Sequence, residues 1–388
     1  MEQPMNRRNR WRRWTLSLVA LAAAAALSAP LAPSYATEVS PAAGGALTLR
    51  EAREAALANH PELKLAQEQL ELAETRYNDI LEDLPYAKNR KSNDAAQEAS
   101  YRRQELVAPI AAEADVLELR TKVDDTRLKV RLETDRLFYE HAIAAAEAAA
   151  LADRRANAER ALEAQRKLVD AGRATVSSLQ PFELEVLNVE LRELELEGRI
   201  DLIRLDLGAA TGLAPGRLAK LETLPMPEAN VPATDLAATA AALKTKHPSV
   251  ALAVKRAESA AAEYVIMQKA YKYDDDMLLD VKTAEDNAFG ARLAVRDAET
   301  QVETRLLSDY NGLLNFRDAV RIAELDFDRA SKALDMREKQ RELGLITDTE
   351  LNDARTQAQD AATALQRAKL DLYLAVERFE HFVSSAAP

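Results

Sequence analysis

Between Pro109 and Gly172 the chain runs for 62 residues, 110–171, without one glycine or proline. At about 1.5 Å per residue a helix of that length is about 93 Å long, several times the length of an average globular helix. No compact core is that tall, so only side-by-side packing along its whole length, in the manner of a coiled coil, keeps such a helix ordered in water. Val116, Leu119, Val123, Thr126, Val130 and Leu137 mark one apolar seam on it. Leu128, Leu132, Tyr139, Ala142, Ala146 and Ala149 mark a second. A lone hairpin needs one seam; two seams predict two neighbours, as in the wall of a bundle or tube.

The helical run stops at "LVDAGRATVSSL", and a matching break occurs at "RELGLITDTEL". An offset of 172 places Gly172 on Gly344, Thr175 on Thr347 and Leu179 on Leu351. Glycine after a helical run is the usual left-handed C-terminal cap. Thr347, Asp348, Thr349 and Glu350 then have the spacing of a capping box, which restarts a helix almost at once. Each break reads as the tip of an antiparallel helical hairpin, with about thirty helical residues returning from it, 182–207 and 351–382.

The openings of the two halves also match. "ALANHPELKLAQEQLELAETRY" recurs as "ALKTKHPSVALAVKRAESAAAEY" 187 positions later, with His60 on His247 and Tyr77 on Tyr264. Leu63, Ala66, Leu70, Ala73, Tyr77, Ile80 and Leu84 step by three and four. Their counterparts are Val250, Ala253, Ala257, Ala260, Tyr264, Met267 and Tyr271, all apolar or small. The chain therefore reads as an internal repeat, each copy opening with a helix that starts at Pro61 or Pro248. Residues 37–214 form the first repeat, with its tip near 172, and 236–388 the second, with its tip near 344. The proline-containing segment 215–235 links them.

Composition agrees with long solvated helices carrying narrow apolar seams: ten glycines, 5% aromatic and 30% charged residues in 388. With no cysteine, disulfides, thiolate metal sites and a cysteine nucleophile are excluded. Residues 1–36 have the layout of a secretory signal. Arg7, Arg8, Arg10, Arg12 and Arg13 precede a short apolar stretch, 16–27, and Ser34-Tyr35-Ala36 fits a small-x-small cleavage site. Cleavage after Ala36 removes five arginines and one glutamate from 52 basic and 64 acidic side chains, leaving 47 and 63, a net charge of −16. An exported acidic protein is a poor ligand for phosphates, so nucleic acid is not an expected partner. No later run is long and apolar enough for a transmembrane helix.

The chemistry-bearing residues are sparse. The histidines are His60, His141, His247 and His381, and none has a second histidine three or four residues away. His60 and His247 precede prolines and are expected to shape a turn into a helix. Asp274, Asp275 and Asp276 lack the glycine and distal glutamate of a calcium loop and read as a solvated acidic turn. There is no phosphate cradle or nucleophile elbow, so neither an enzyme nor a cofactor is expected.

The order of these parts resembles the TolC family of outer-membrane efflux proteins. "ALANHPEL" and "ALKTKHPSV" are similar to that family's "ALxxNPEL", with His in place of the commoner Asn. "LGLITDTELNDARTQAQDAATAL" is close to its tip motif; "AGRATVSSLQPFELEVLNVEL" is looser, and Pro181 departs from it. The resemblance spans most of residues 47–382. It implies a homotrimer whose six hairpins make an α-helical tunnel, with the tips facing an inner-membrane transporter and its periplasmic adaptor. Gly172, Arg173, Ala174 and Thr175, with Gly344, Leu345, Ile346 and Thr347, would then be the partner-docking residues.

In that family each repeat also supplies strands to a membrane barrel. The windows available here, "PYAKNRKSNDAAQEASYRRQE" and "YKYDDDMLLDVKTAEDNAFG", do not alternate apolar with polar residues and are charged where lipid would lie. A charge facing lipid costs about 2–4 kcal/mol near the midplane. The expectation is thus an all-α, barrel-less TolC-like bundle of the periplasm or cell envelope, forming or extending a conduit. The alternative is a structural or adaptor coiled coil that bridges envelope components and encloses no lumen. Lys88, Arg90 and Lys91 in one window and Asp274, Asp275 and Asp276 in the other fall at pseudo-equivalent places and are candidates for pairing between loops.

Overall fold

The computed structural model describes residues 45–385, and the expected signal segment 1–36 lies outside them. A short α1 (Leu49–Asn59) leads through His60 into α2 (Pro61–Asn89). Then come α3 (Ala95–Arg102), a π-helical turn (Arg103–Val107) and the 63-residue α4 (Ala108–Asp170). Pro109 accounts for the π turn: it has no N–H for the carbonyl of residue 105, and the helix widens just before it. After the first tip, α5 (Gln180–Thr211) returns along α4, and α6 (Pro215–Leu218) opens the link to the second half. There α7 (Leu236–Lys246), α8 (Pro248–Ala270), the 65-residue α9 (Leu278–Glu342) and α10 (Asp348–Ser384) repeat the order. The fold is all-α, in two tandem units of long antiparallel hairpins.

The His-Pro pairs do what their sequence implies. His60 and His247 each end one helix and cap the next in extended conformation, with proline in the first turn that follows. All fourteen positions of the recurring seam are at least half covered. In each half, two helices stack end to end against the long one. Asn59 Nδ2, at the end of α1, donates to the Thr211 carbonyl at the end of α5 (2.9 Å), joining α5 to the start of α2. The His247 ring likewise meets Phe382 near the end of α10 (5.1 Å), joining α10 to the start of α8.

Helix α4 lies between both stacks. Lys129–Glu62 and Arg120–Glu74 tie it to α2, and Arg154–Glu185 and Arg155–Glu193 tie it to α5. On its other side Lys255–Glu113 and Arg256–Glu118 reach α8, and Arg131–Glu377 reaches α10. The two seams thus have two neighbours. Val123 packs on Leu63 and Ala66 of α2. Leu132, Leu137, Phe138, Tyr139 and Ile143 form the main core with α1, α5 and α10. The second seam ends earlier than its spacing implies. Ala146 and Ala149 are exposed, and Ile143 and Ala144 hold the buried positions. In the stretch 144–150 six of seven residues are alanine, so composition alone cannot say which side is covered.

The segment after α6 is extended and packed. Leu47 donates to the Lys220 carbonyl (2.8 Å) and accepts from Glu222 N–H (2.9 Å), while Leu221, Leu224 and Met226 lie on the main core. That parallel bridge between Leu47 and Leu221 is the only β pairing among the described residues. Residues 85–105 and 271–290 are helix and loop: the first become the end of α2, α3 and the π turn, the second a turn and the start of α9.

Candidate functional site

At both tips the chain solves the same problem with the same bonds. The last carbonyls of a helix have no partners within it, and a residue in left-handed conformation turns the following N–H groups back onto them. Gly172 has φ +70° and Gly344 φ +72°. Gly172 N–H donates to Val169 O (2.9 Å) and Arg173 N–H to Leu168 O (2.8 Å). Gly344 N–H donates to Arg341 O (2.9 Å) and Leu345 N–H to Gln340 O (2.9 Å). Nothing crowds either glycine, so the backbone angle alone selects the residue.

Beyond the glycines the tips differ. Thr347 accepts from Glu350 N–H (3.3 Å), and Glu350 Oε2 accepts from Thr347 N–H (2.8 Å), completing the expected capping box. Helix α10 therefore begins at once, and Arg341 braces it with a two-pronged pair to Asp348 (2.5 and 2.8 Å). Hydrogen bonds from the Thr347 N–H and then its hydroxyl hold Glu350 below the usual carboxylate range. The first tip has no such box. A 3₁₀ turn, Val176–Leu179, intervenes, and Pro181 sits in the first turn of α5. Gln165 on α4 closes it by donating to Ser178 Oγ (2.7 Å). Arg173 and Thr175 are exposed and Ala174 half-buried; Leu345 and Thr347 are exposed and Ile346 half-buried. Leu343 and Leu345 are 74% and 69% exposed, so the second tip presents the larger apolar surface.

Over the tip half of the molecule α5 and α10 face each other across a groove of about 1070 Å³, floored by Leu151, Arg154 and Asn157 of α4. At the other end α3 and the π turn, which follow the basic loop, pack on α8, which leads into the acidic one. The π turn packs on α8, where Arg103 pairs with Glu263 (2.8 Å). Lys88, Arg90 and Lys91 are exposed, as are Asp274, Asp275 and Asp276, and no ion pair within the chain joins the two sets.

A buried cluster at mid-length was not anticipated from sequence. Asp135 on α4 is fully buried and takes a two-pronged contact from Arg53 of α1 (2.5 and 2.8 Å). Tyr373 of α10 donates to the same carboxylate (3.1 Å). Burial and the neighbouring carboxylate raise the Tyr373 phenol well above its ordinary range. The signal was present: in the second seam, 128, 132, 139 and 142, position 135 is the missing member. A charged residue in phase with an apolar seam must find a partner. Among the described residues no group of three or more histidines, aspartates or glutamates is placed to hold a metal.

Known structures place this architecture. The outer membrane protein VceC of Vibrio cholerae is 16% identical, with 85% of this chain and 95% of that one covered at a TM-score of 0.63. The Campylobacter jejuni outer membrane channel CmeC is 12% identical, with 87% and 86% covered and a TM-score of 0.66. The outer-membrane channel OprN gives 12%, 87% and 90%, and 0.66. This chain has their fold. No protein-family model matches it, and no curated protein matches it by sequence. This fold is the one that the resemblance to TolC-family proteins implied, here with helix and loop over residues 85–105 and 271–290.

Proposed function

We propose that the protein is a subunit of a closed ring, three copies around a lumen, that serves as an α-helical conduit in an efflux or export assembly of the cell envelope. One observation carries the ring: the outermost helices have apolar faces that the single chain leaves uncovered. On α5, Val189, Leu196 and Ile203 are buried against the rest of the chain. Leu184, Leu187, Leu191, Leu194, Leu202 and Leu205 form a second seam of near-heptad spacing that is 56% to 68% exposed. On α9, Val302, Leu306 and Leu313 face inward, and Phe289, Leu293, Leu307, Ile322, Leu325 and Met336 lie on the far side, exposed. The inner helix α4 is covered on both flanks by stacked pairs; α9 has such a pair, α8 and α10, on one flank only.

Laying the α5 edge of one copy on the α9 edge of the next gives α9 the surroundings that α4 already has. A contact between two different edges either closes into a ring or grows without end. Three copies follow from the resemblance, as do a periplasmic adaptor and an inner-membrane transporter at the tips. The protein does no chemistry of its own in this reading. Export fits the layout of residues 1–36, and among the described residues no helix is long and apolar enough to cross a membrane.

Sedimentation equilibrium of the chain lacking residues 1–36 tests the ring. A mass that is a multiple of three chains is expected, and Leu187→Glu with Leu191→Glu should abolish that threefold association with unchanged helix content. A wild-type mass of one or two chains, with no threefold species, would favour the lumen-free bridge between envelope components.

A further inference from the structure

The end of the molecule opposite the tips carries two loops of opposite charge, one after α2 and one after α8, with α3 and the π turn packed on α8 between them. The first holds Lys88, Arg90 and Lys91; the second holds Asp274, Asp275 and Asp276. Each is organised from within. Arg90 lies over the Tyr101 ring (5.7 Å) and donates to Gln104 (3.1 Å), and Asp274 accepts from Asp276 N–H (3.1 Å). The side chains of Lys88, Lys91, Asp275 and Asp276 are left exposed. Beside them stand exposed apolar groups: Tyr86, Leu278, Leu279 and Tyr273, the last 90% exposed with only the Lys272 amine over its ring (5.2 Å). Tyr273 lies within the loop between α8 and α9, where a body placed end-on reaches it.

From this surface we infer that two copies of the chain dock end to end through it, the basic loop of each on the acidic loop of the other. A surface with one patch of each sign is complementary to itself about a two-fold axis, because each contact then occurs twice. The same rotation brings the exposed tyrosines and leucines of the two copies together and removes them from water. A lipid surface would also take up tyrosine and leucine, but the three aspartates sit between Tyr273 and Leu278, where anionic headgroups repel them. The inference goes beyond the ring and does not require it. Two single chains pair about one axis, and two rings pair about the same axis with basic over acidic loops all round.

Charge exchange tests it, read by native mass spectrometry and sedimentation velocity on the chain lacking residues 1–36. Wild type should form a species of twice the mass of its basic assembly, whether that assembly is a monomer or a ring. Its dissociation constant should rise at least about tenfold between about 0.05 M and about 0.5 M salt. Lys88→Glu with Lys91→Glu should abolish the doubling, and so should Asp275→Lys with Asp276→Lys. Mixing the two variants should restore it, in hybrid species only. Tyr273→Ser with Leu279→Ser should weaken it at least about tenfold. Doubling that persists in both charge variants, or a mixture that fails to recover it, overturns the inference. So does a wild type that never doubles, or one that stays single and sediments with phosphatidylglycerol vesicles through Tyr273 and Leu279. The Leu187→Glu, Leu191→Glu variant separates the two readings: it dissolves the ring and leaves end-to-end pairing of single chains in place.

Discussion

The joint at mid-length and the two tips are built from the same long helices, yet they treat apolar side chains in opposite ways. At the joint α1, α4, α5 and α10 converge, and Phe138, Ile143 and Leu207 are at most 1% exposed. At the tips Leu343, Leu345 and Val176 are each more than two-thirds exposed. A helix as long as α4 cannot be equally well packed everywhere in a single chain. It is held where several helices converge, and elsewhere by one neighbour on each flank. The joint therefore carries the stability of the chain, and the tips are left free to offer surface.

The comparison breaks most readily at Asp135. Replacing Arg53 with methionine keeps the length of the side chain but leaves a buried carboxylate with only Tyr373. Removing one member of a buried pair costs about 3–5 kcal/mol. Arg53 is one-third exposed, which places the expected loss at the lower end, about 3 kcal/mol, in urea unfolding monitored by circular dichroism. A loss below about 1 kcal/mol would mean that water reaches the carboxylate and that the joint is looser than its packing implies.

A second, smaller effect is set by pH. Burial first, and then Arg204, lower the His141 pKa below 6.5. Burial and Arg305 do the same to His247, beside Phe382 at the junction of α8 and α10. Both rings are held neutral in the folded chain, whereas the unfolded chain takes up protons as pH falls through 6.5. Stability is then fully present above that pH and declines below it. The melting temperature should fall between about pH 7 and pH 5, and His141→Gln with His247→Gln should flatten that fall. An equally steep fall in the double variant would show that these two rings do not set it; Glu133, which Arg136 holds low, gives up its share only as pH falls below its ordinary value of 4.5.

Much of this was legible in the sequence, for reasons that differ by element. The length of α4 followed from missing breakers. Both tips followed from Gly172 and Gly344, because few residues other than glycine adopt the left-handed angle routinely. The length of α9 was harder to read, since Gly290 and Gly312 interrupt it in sequence but not in space. A glycine inside a helix costs only about 1 kcal/mol, which packing on α8 and α10 offsets. The phase of α4 near residue 146 was illegible because alanine fits either face. Arg53 and Tyr373 were beyond reach, being 82 and 238 residues from Asp135. Of the candidate docking surface, the apolar exposure of Leu345 was readable, since few contacts reach a loop beyond the last turn. The groove between α5 and α10 depends on how the hairpins diverge, which no local pattern records.

The smallest expected change in stability, at the second tip, sharpens the comparison from the other side. Leu345 is 69% exposed and Ile346 half-buried, so Leu345→Ser with Ile346→Ser removes little buried apolar area. The turn itself survives, because Gly344, the Thr347–Glu350 box and the Arg341–Asp348 pair are untouched. The cost should stay below about 1 kcal/mol, a shift of no more than a few degrees in melting temperature. If the tip is where a periplasmic adaptor or inner-membrane transporter docks, the same variant should lose most of that partner in co-purification, since central apolar groups dominate such contacts. A loss of stability near that of Arg53→Met would show instead that Leu345 and Ile346 pack against a neighbouring hairpin. The tip would then belong to the scaffold, as the joint does. Unchanged stability with unchanged partner recovery would move the docking surface elsewhere, and the groove between α5 and α10 would be the next place to probe.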